Sequence, residues 1–202
     1  MQHRLSEKTG SNPSFALLIL AAGLSNRFGS DKLERPLKGK PLLQHVLDEF
    51  RESIFHPKIL VTRTGAETDR FDTKGFEVAV NRSPEQGISS SVMTGIEAIG
   101  RRTGSGIIVL LGDMPYIRAQ DAEDLVSAFG NEERTVASFE FNGTKGFPTL
   151  VTADLLPDFV RLKGDTGIFH LVRKGLAEYR CLKGELRHVF DVDHPEDLER
   201  RV

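Results

Sequence analysis

Cysteine is almost absent from this chain: Cys181 stands alone among 202 residues. An internal disulfide and any cysteine-cluster metal site are therefore excluded, and a single thiol fits a reducing compartment. An excess of charge of one sign is missing too. Lys plus Arg number 27 and Asp plus Glu 29, a net charge of −2, with a pI of 6.3. The basic field that nucleic acid requires, typically a pI above about 9, is not there, and neither is the composition of an acidic disordered chain. Long apolar runs are also lacking. The longest, Phe15–Leu24 (FALLILAAGL), has ten residues, where a membrane span needs about 20. A secretory leader is disfavoured, because Glu7 and Asn12 precede the run and Gly-Leu-Ser-Asn-Arg ends it in place of a small-residue cleavage site. A cytoplasmic setting is expected, with neither membrane nor nucleic acid as partner.

What is present is an ordinary globular composition, 39% hydrophobic and 28% charged, in a chain long enough to bury about 70% of its unfolded surface. Residues 1–13, with Ser, Gly, Asn and Pro13 close together, read as a loose tail. Residues 14–202 read as one domain. Phe15–Leu20 is a run of apolar residues suited to a strand buried on both faces. Pro41 then opens a helix in which Leu43, Val46, Leu47 and Phe50 recur at i, i+3, i+4, i+7. Lys58–Thr62 and Phe76–Val80 read as further strands. Gly87–Ile99 is a helix with Val92, Met93, Ile96 and Ile99 on one face, and Gly106–Leu111 is the most hydrophobic strand, expected at the centre.

This alternation predicts an α/β fold: a three-layer α/β/α, Rossmann-like arrangement on a mostly parallel mixed sheet. The second half is less regular. Thr135–Phe141 and Phe147–Val151 flank the turn signal Asn142-Gly143, with a loop longer than two residues. Leu186–Val192 reads as a late strand and Pro195 as the start of a last helix. Cys181 reads as a small buried hydrophobe.

In such sheets ligands bind beyond the carboxyl ends of the strands. After the first strand, Leu20-Ala21-Ala22-Gly23-Leu24-Ser25-Asn26-Arg27-Phe28-Gly29-Ser30-Asp31-Lys32 combines small residues with two cations. Its free N–H groups, with Arg27 and Lys32, suit phosphate oxygens; the alternative is a flexible surface turn with two solvated charges. The segment is not a Walker A loop, since five residues separate Gly23 and Gly29, nor a dinucleotide fingerprint, since position 25 is Ser.

After the third strand, Gln86-Gly87-Ile88-Ser89-Ser90-Ser91 places serines where a helix begins, either as caps or as contacts to base and phosphate. After the fourth, Asp113 in Gly112-Asp113-Met114-Pro115 suits a hard cation such as Mg²⁺, or a turn cap. Asp191 and Asp193 in Asp191-Val192-Asp193-His194-Pro195 form a second acidic group, in which either residue could bind metal and Asp193 could equally cap the last helix. No HExxH pair or GxSxG elbow is present, which argues against zinc-protease and serine-hydrolase chemistry.

The first of these segments, LAAG-x-S-x-R-x-G-x-x-K, resembles the molybdenum-cofactor nucleotidyltransferases. Gln86–Ser91, Gly112–Pro115, Gly146-Phe147-Pro148, Leu162–Gly167 and Asp191–Leu198 follow in that family's order, so the resemblance extends over about residues 14–201. Ala22, where guanylyltransferase relatives usually carry Gly, and the serine run are similar to the CTP:molybdopterin cytidylyltransferase branch. Glu34-Arg35 and Ile168-Phe169 depart from the family pattern, the latter on the acceptor side.

The resemblance implies attack by an acceptor's terminal phosphate on the α-phosphorus of CTP or GTP, with pyrophosphate leaving. Such a nucleophile is already an anion, so positioning and charge neutralisation suffice. The implied nucleotide-binding residues are Leu20, Ala21, Ala22, Gly23, Ser25, Arg27, Gly29, Lys32, Asn81, Gln86, Gly87, Ser89 and Ser90. Arg27, Lys32 and Asp113 would be catalytic. Asp113 and Asp193 would bind Mg²⁺, and Asp165 and Asp191 would face a molybdopterin-type acceptor. A molybdenum hydroxylase receiving the product is the implied partner. The same scaffold could instead act on another small phosphorylated acceptor, or serve as a non-catalytic nucleotide or cofactor carrier.

Overall fold

The computed structural model describes residues 14–23, 32–161 and 167–199. The expected tail 1–13, together with Ser25, Arg27, Gly29 and Asp165, lies outside the described residues. The first strand, β1 (Phe15–Ala21), is buried along its whole length. That is why its sequence is apolar without alternation: both faces are covered. A small ribbon, β2 (Pro36–Leu37) and β3 (Lys40–Pro41), leads into helix α1 (Leu42–Arg51). There Leu43, Val46, Leu47 and Phe50 are all at most 1% exposed, as their spacing requires. Next come β4 (Lys58–Arg63), β5 (Glu77–Asn81), α2 (Ile88–Ile99), β6 (Gly106–Leu111) and α3 (Ala119–Phe129). The chain continues through β7 (Thr135–Phe141), β8 (Thr144–Thr152), a 3-10 segment Ala153–Arg161, the short α4 (His170–Arg173) and β9 (Glu178–Lys183).

Seven strands form one sheet in the order β5-β4-β1-β6-β8-β7-β9. The expected mixed sheet is observed: β8 pairs antiparallel with β6 and β7, and every other pairing is parallel. The most hydrophobic strand, β6, is central. Two apolar layers flank the sheet. Leu17, Ile19, Leu110 and Phe139 pack with α1 and α3 on one face. Leu18, Leu20, Val109 and Val136 pack with α2 and α4 on the other. This is the three-layer α/β/α, Rossmann-like fold predicted. Among the described residues, no helix is long and apolar enough to cross a membrane.

Four local expectations need correction. The hairpin closes in two residues, not more: Phe141 pairs with Thr144, and Asn142 and Gly143 take φ of 49° and 78°, the left-handed pair of a type I′ turn. The late strand is Glu178–Lys183 rather than Leu186–Val192. Strand β9 lies at the sheet edge and is mostly half-buried or exposed, so it carries no apolar run. Phe190 and Val192 are apolar because they are buried under the α1/α3 face, not because they pair in a ladder. Finally, Cys181 is exposed, since the edge strand leaves its side chain uncovered. The last predicted helix is a short 3-10 segment, Pro195–Glu199.

Candidate active site

The carboxyl ends of β1 and β6 meet at a cleft of about 340 Å³. Leu20, Ala21, Ala22 and Gly23 form one wall. The opposite wall comes from the β5–α2 connection through Pro84, Glu85, Gly87 and Ile88. Gly87 caps α2 with φ of +84°, so the chain turns sharply and the helix N-terminus, with its partial positive charge, faces the cleft.

The serine run is divided by helical geometry. Ile88 and Ser91 share the cleft face, three residues apart, while Gln86, Ser89 and Ser90 line a separate hollow of about 830 Å³ with Met93 and Glu97. Gln86, Ser89 and Ser90 are therefore not brought to the Leu20–Gly23 wall. Asn81, expected to contact the base, instead sits inside the fold at 2% exposure. Its amide donates to Ser90 Oγ at 2.8 Å and Ser91 Oγ at 3.0 Å, and its carbonyl accepts from the Ser83 N–H at 2.9 Å. Asn81 is thus the strut that shapes the 81–91 turn. Sequence reading missed Ser91, Glu85 and Leu33 in the cleft; the i, i+3 relation of Ile88 to Ser91 was the available signal for the first.

Beside the cleft, the structure gathers Asp113, Asp191 and Asp193, each with one carboxylate oxygen within 4.8 Å of the other two. Asp113 follows β6, whereas the other two arrive on the segment that crosses back beneath the sheet after β9. The Val192 N–H donates to the Asp113 carbonyl at 3.1 Å and locks the two segments together.

Lys32 Nζ lies 2.6 Å from Asp113 Oδ2 and 3.0 Å from Asp193 Oδ1. Burial opposes the charge on Lys32, but Asp113 and then Asp193 outweigh it and raise its pKa. Asp191 is pushed up by burial first and by the neighbouring carboxylates Asp113 and Asp193 second. Asp113 Oδ1 is buried without a hydrogen-bond partner. A buried acceptor left unmatched among three hard oxygen donors has the character of a divalent-cation site.

The sequence profile of the MobA-like NTP transferase domain matches residues 17–180. The chain belongs to the MobA-like NTP transferase family. The cleft walls and the Asp113 loop fall inside the matched region. Purine catabolism protein PucB of Bacillus subtilis is 31% identical over 208 residues, covering 95% of this chain and 98% of PucB. Bifunctional protein GlmU of Ralstonia pickettii is 30% identical over 138 residues, 67% of this chain. The chain spans only 30% of GlmU's length.

Among solved structures, Rv0371c from Mycobacterium tuberculosis superposes with a TM-score of 0.80 at 26% identity, over 92% of this chain and 96% of that one. Its manganese complex gives 0.76 at 24% identity, over the same shares. Molybdopterin-guanine dinucleotide biosynthesis protein A from Archaeoglobus fulgidus shares the fold, with a TM-score of 0.67 at 18% identity over 92% and 95% of the two chains.

Proposed function

We propose that this MobA-like transferase moves a cytidylyl group from CTP to the terminal phosphate of a molybdopterin acceptor. The observation that carries the reading is the cluster of Asp113, Asp191, Asp193 and Lys32 at the end of the central strand, beside a cleft walled by small residues. The acceptor phosphate oxygen attacks the α-phosphorus; a new P–O bond forms, the α–β bridge breaks, and pyrophosphate departs. Backbone groups of Leu20–Gly23 and the N-terminus of α2 hold the nucleotide, with Gly87, Ile88 and Ser91 against it.

Lys32 neutralises phosphate charge once a triphosphate competes with the carboxylates for its ammonium. Arg27, with Ser25 and Gly29, completes the phosphate loop in this reading. A divalent cation, Mg²⁺ or Mn²⁺, fits the three carboxylates and the orphaned Asp113 Oδ1. Asp113 and Asp193 would hold it, and Asp191 and Asp165 would serve the acceptor. When bound, it withdraws charge from the phosphate oxygens, which is its ordinary role in nucleotidyl transfer. No side chain need act as a strong base, since the nucleophile arrives ionised.

For CTP, the support is Ala22 and the serine run. For the acceptor, it is the motif order and a shared fold with a protein named for molybdopterin-guanine dinucleotide biosynthesis. The product would pass to a molybdenum hydroxylase.

The test supplies CTP, GTP, ATP and UTP in turn, with Mg²⁺ or Mn²⁺ and molybdopterin, and follows pyrophosphate. Release with CTP alone, and only when molybdopterin is present, is expected. A GTP-only signal overturns the nucleotide assignment. Activity on a sugar phosphate in place of molybdopterin overturns the acceptor. Tight nucleotide binding without pyrophosphate release makes the protein a carrier.

A further inference from the structure

Two of the three clustered carboxylates arrive on a strap, residues 184–193, that leaves β9 and runs beneath β7 and β8 to reach the end of β6. A strap without ladder hydrogen bonds needs other means of holding its position. The Gly184 N–H donates to the Glu140 carbonyl at 2.8 Å, and four residues later the His188 ring stacks on Phe139, with centroids 3.9 Å apart and planes within 4°. The His188 carbonyl lies so close to Gly146 that a Cβ there would come within 2.1 Å of it.

The main tether comes from α3. Asp121, 4% exposed, takes the Arg118 N–H at 2.8 Å on Oδ2. The same oxygen accepts from Arg187 Nη1, and Asp121 Oδ1 faces His188 Nε2 at 3.4 Å. Arg187 is further fixed by Glu185 at 2.9 Å, and the Glu185 N–H donates to His188 Nδ1 at 2.8 Å. None of these groups touches the cleft.

We infer that the Asp121–Arg187–His188 clamp is a positioning device that sets Asp191 and Asp193 against Asp113. A buried charge pair such as Asp121–Arg187 is a weak source of net stability compared with an apolar replacement. It is directional, however: Arg187 gives Nη1 to Asp121 and Nε to Glu185, so two carboxylates fix the plane of its guanidinium. The register it imposes passes to Val192, whose N–H meets the Asp113 carbonyl at 3.1 Å. It then reaches Asp193, whose N–H donates to Asp197 Oδ2 at 3.1 Å. The inference rests on the proposed cation reading for its functional consequence, but not for its geometry.

The experiment compares wild type, Arg187→Met, Arg187→Lys and Gly95→Ala. The last is a stability control on the opposite face, since a Cβ at Gly95 would fall 2.4 Å from Leu18 Cδ2. Mn²⁺ alone is titrated by electron paramagnetic resonance, and backbone amide exchange is followed at Val192 and Asp193.

Arg187→Met should bind Mn²⁺ about tenfold more weakly, because Asp191 and Asp193 lose their fixed placement against Asp113; that is the low end of what loss of a group in direct contact with a metal ligand costs. It should also lose amide protection at Val192 while α2 and β1 keep theirs. Arg187→Lys should recover part of both, and Gly95→Ala should lose stability with Mn²⁺ affinity intact. Unchanged Mn²⁺ affinity together with unchanged Val192 protection in Arg187→Met overturns the inference. Equal loss of affinity in Gly95→Ala also overturns it. If wild type takes up no Mn²⁺, the cation reading fails instead, and Val192 protection by itself decides whether the clamp positions the strap.

Discussion

Replacing Lys32 by Met removes one ammonium from among three carboxylates, and the consequence can be worked from the distances. Its contacts at 2.6 Å to Asp113 and 3.0 Å to Asp193 correspond to gross attractions of about 6 kcal/mol and about 5.5 kcal/mol at an effective dielectric near 20. Most of this is offset by desolvation of the charges. The Asp193 pair must be discounted further, because that side chain is 40% exposed and solvent screens it. The Asp113 pair, with both side chains under 15% exposed, dominates.

A net loss of about 2–3 kcal/mol follows, near the lower end for removing one partner of a buried pair. For a chain of this length that lowers Tm by about 4–12 °C. Divalent cation should reverse the loss. In wild type a cation must displace the ammonium before it gains the carboxylates, whereas in Lys32→Met it meets them directly. Mn²⁺ should therefore bind the variant roughly 10–100-fold more tightly in the absence of nucleotide, since every 1.4 kcal/mol is about tenfold. Thermal unfolding with and without Mn²⁺, beside a direct Mn²⁺ titration, gives both numbers. A variant as stable as wild type, or one whose Mn²⁺ affinity is unchanged, would refute the competition between Lys32 and the cation. Transfer itself should fall in this variant, because the triphosphate loses a cation.

Further expectations concern other parts of the molecule. Asp113→Asn should reduce transfer by at least about 10²–10³-fold with an unchanged circular dichroism spectrum; turnover near wild type would remove Asp113 from the machinery. Burial alone would raise the Asp121 carboxyl, but His188, Arg187 and the Arg118 N–H together hold it below the usual range. Its contribution is complete above the unfolded carboxylate pKa of about 3.9 and fades as pH falls through the lower folded value. The stability gap between wild type and Asp121→Asn should therefore be about 2–4 kcal/mol at pH 7 and should narrow below about pH 4, as denaturant titrations at several pH values would show; a gap that holds constant into acid contradicts the depressed pKa. Cys181, exposed on β9, should react with a thiol reagent in the native protein, and a thiol silent until denaturant is added would return it to the core.

Much of the fold was legible because its signals are local. The apolar run of β1, the i, i+3, i+4, i+7 spacing of α1 and the hydrophobic β6 report burial within a few residues of themselves. Edge strand β9 was not legible. An edge strand with half-exposed faces carries polar residues, and the true apolar segment nearby, around Phe190 and Val192, is buried without pairing. The two-residue length of the β7–β8 turn is not written in the sequence, because Thr144, Lys145 and Gly146 look like loop residues yet open β8, where Thr144 and Lys145 pair with β7.

The same division holds at the site. Sequence alone determined which residue types stand at the carboxyl ends of β1 and β6: small residues, then Lys32, then Asp113. Order along the chain dictates those ends once the strands are recognised. Only the tertiary structure decided that Asp191 and Asp193 join Asp113 within 4.8 Å, and that Lys32 reaches Asp193 across 161 residues of sequence. Only it decided, too, that Ser91 faces the cleft while Ser89 and Ser90 turn to another hollow. Composition and spacing name the candidate charges. Their mutual distance depends on a strap crossing beneath two strands and on the rotation of one helix, and both are set by packing of the whole core.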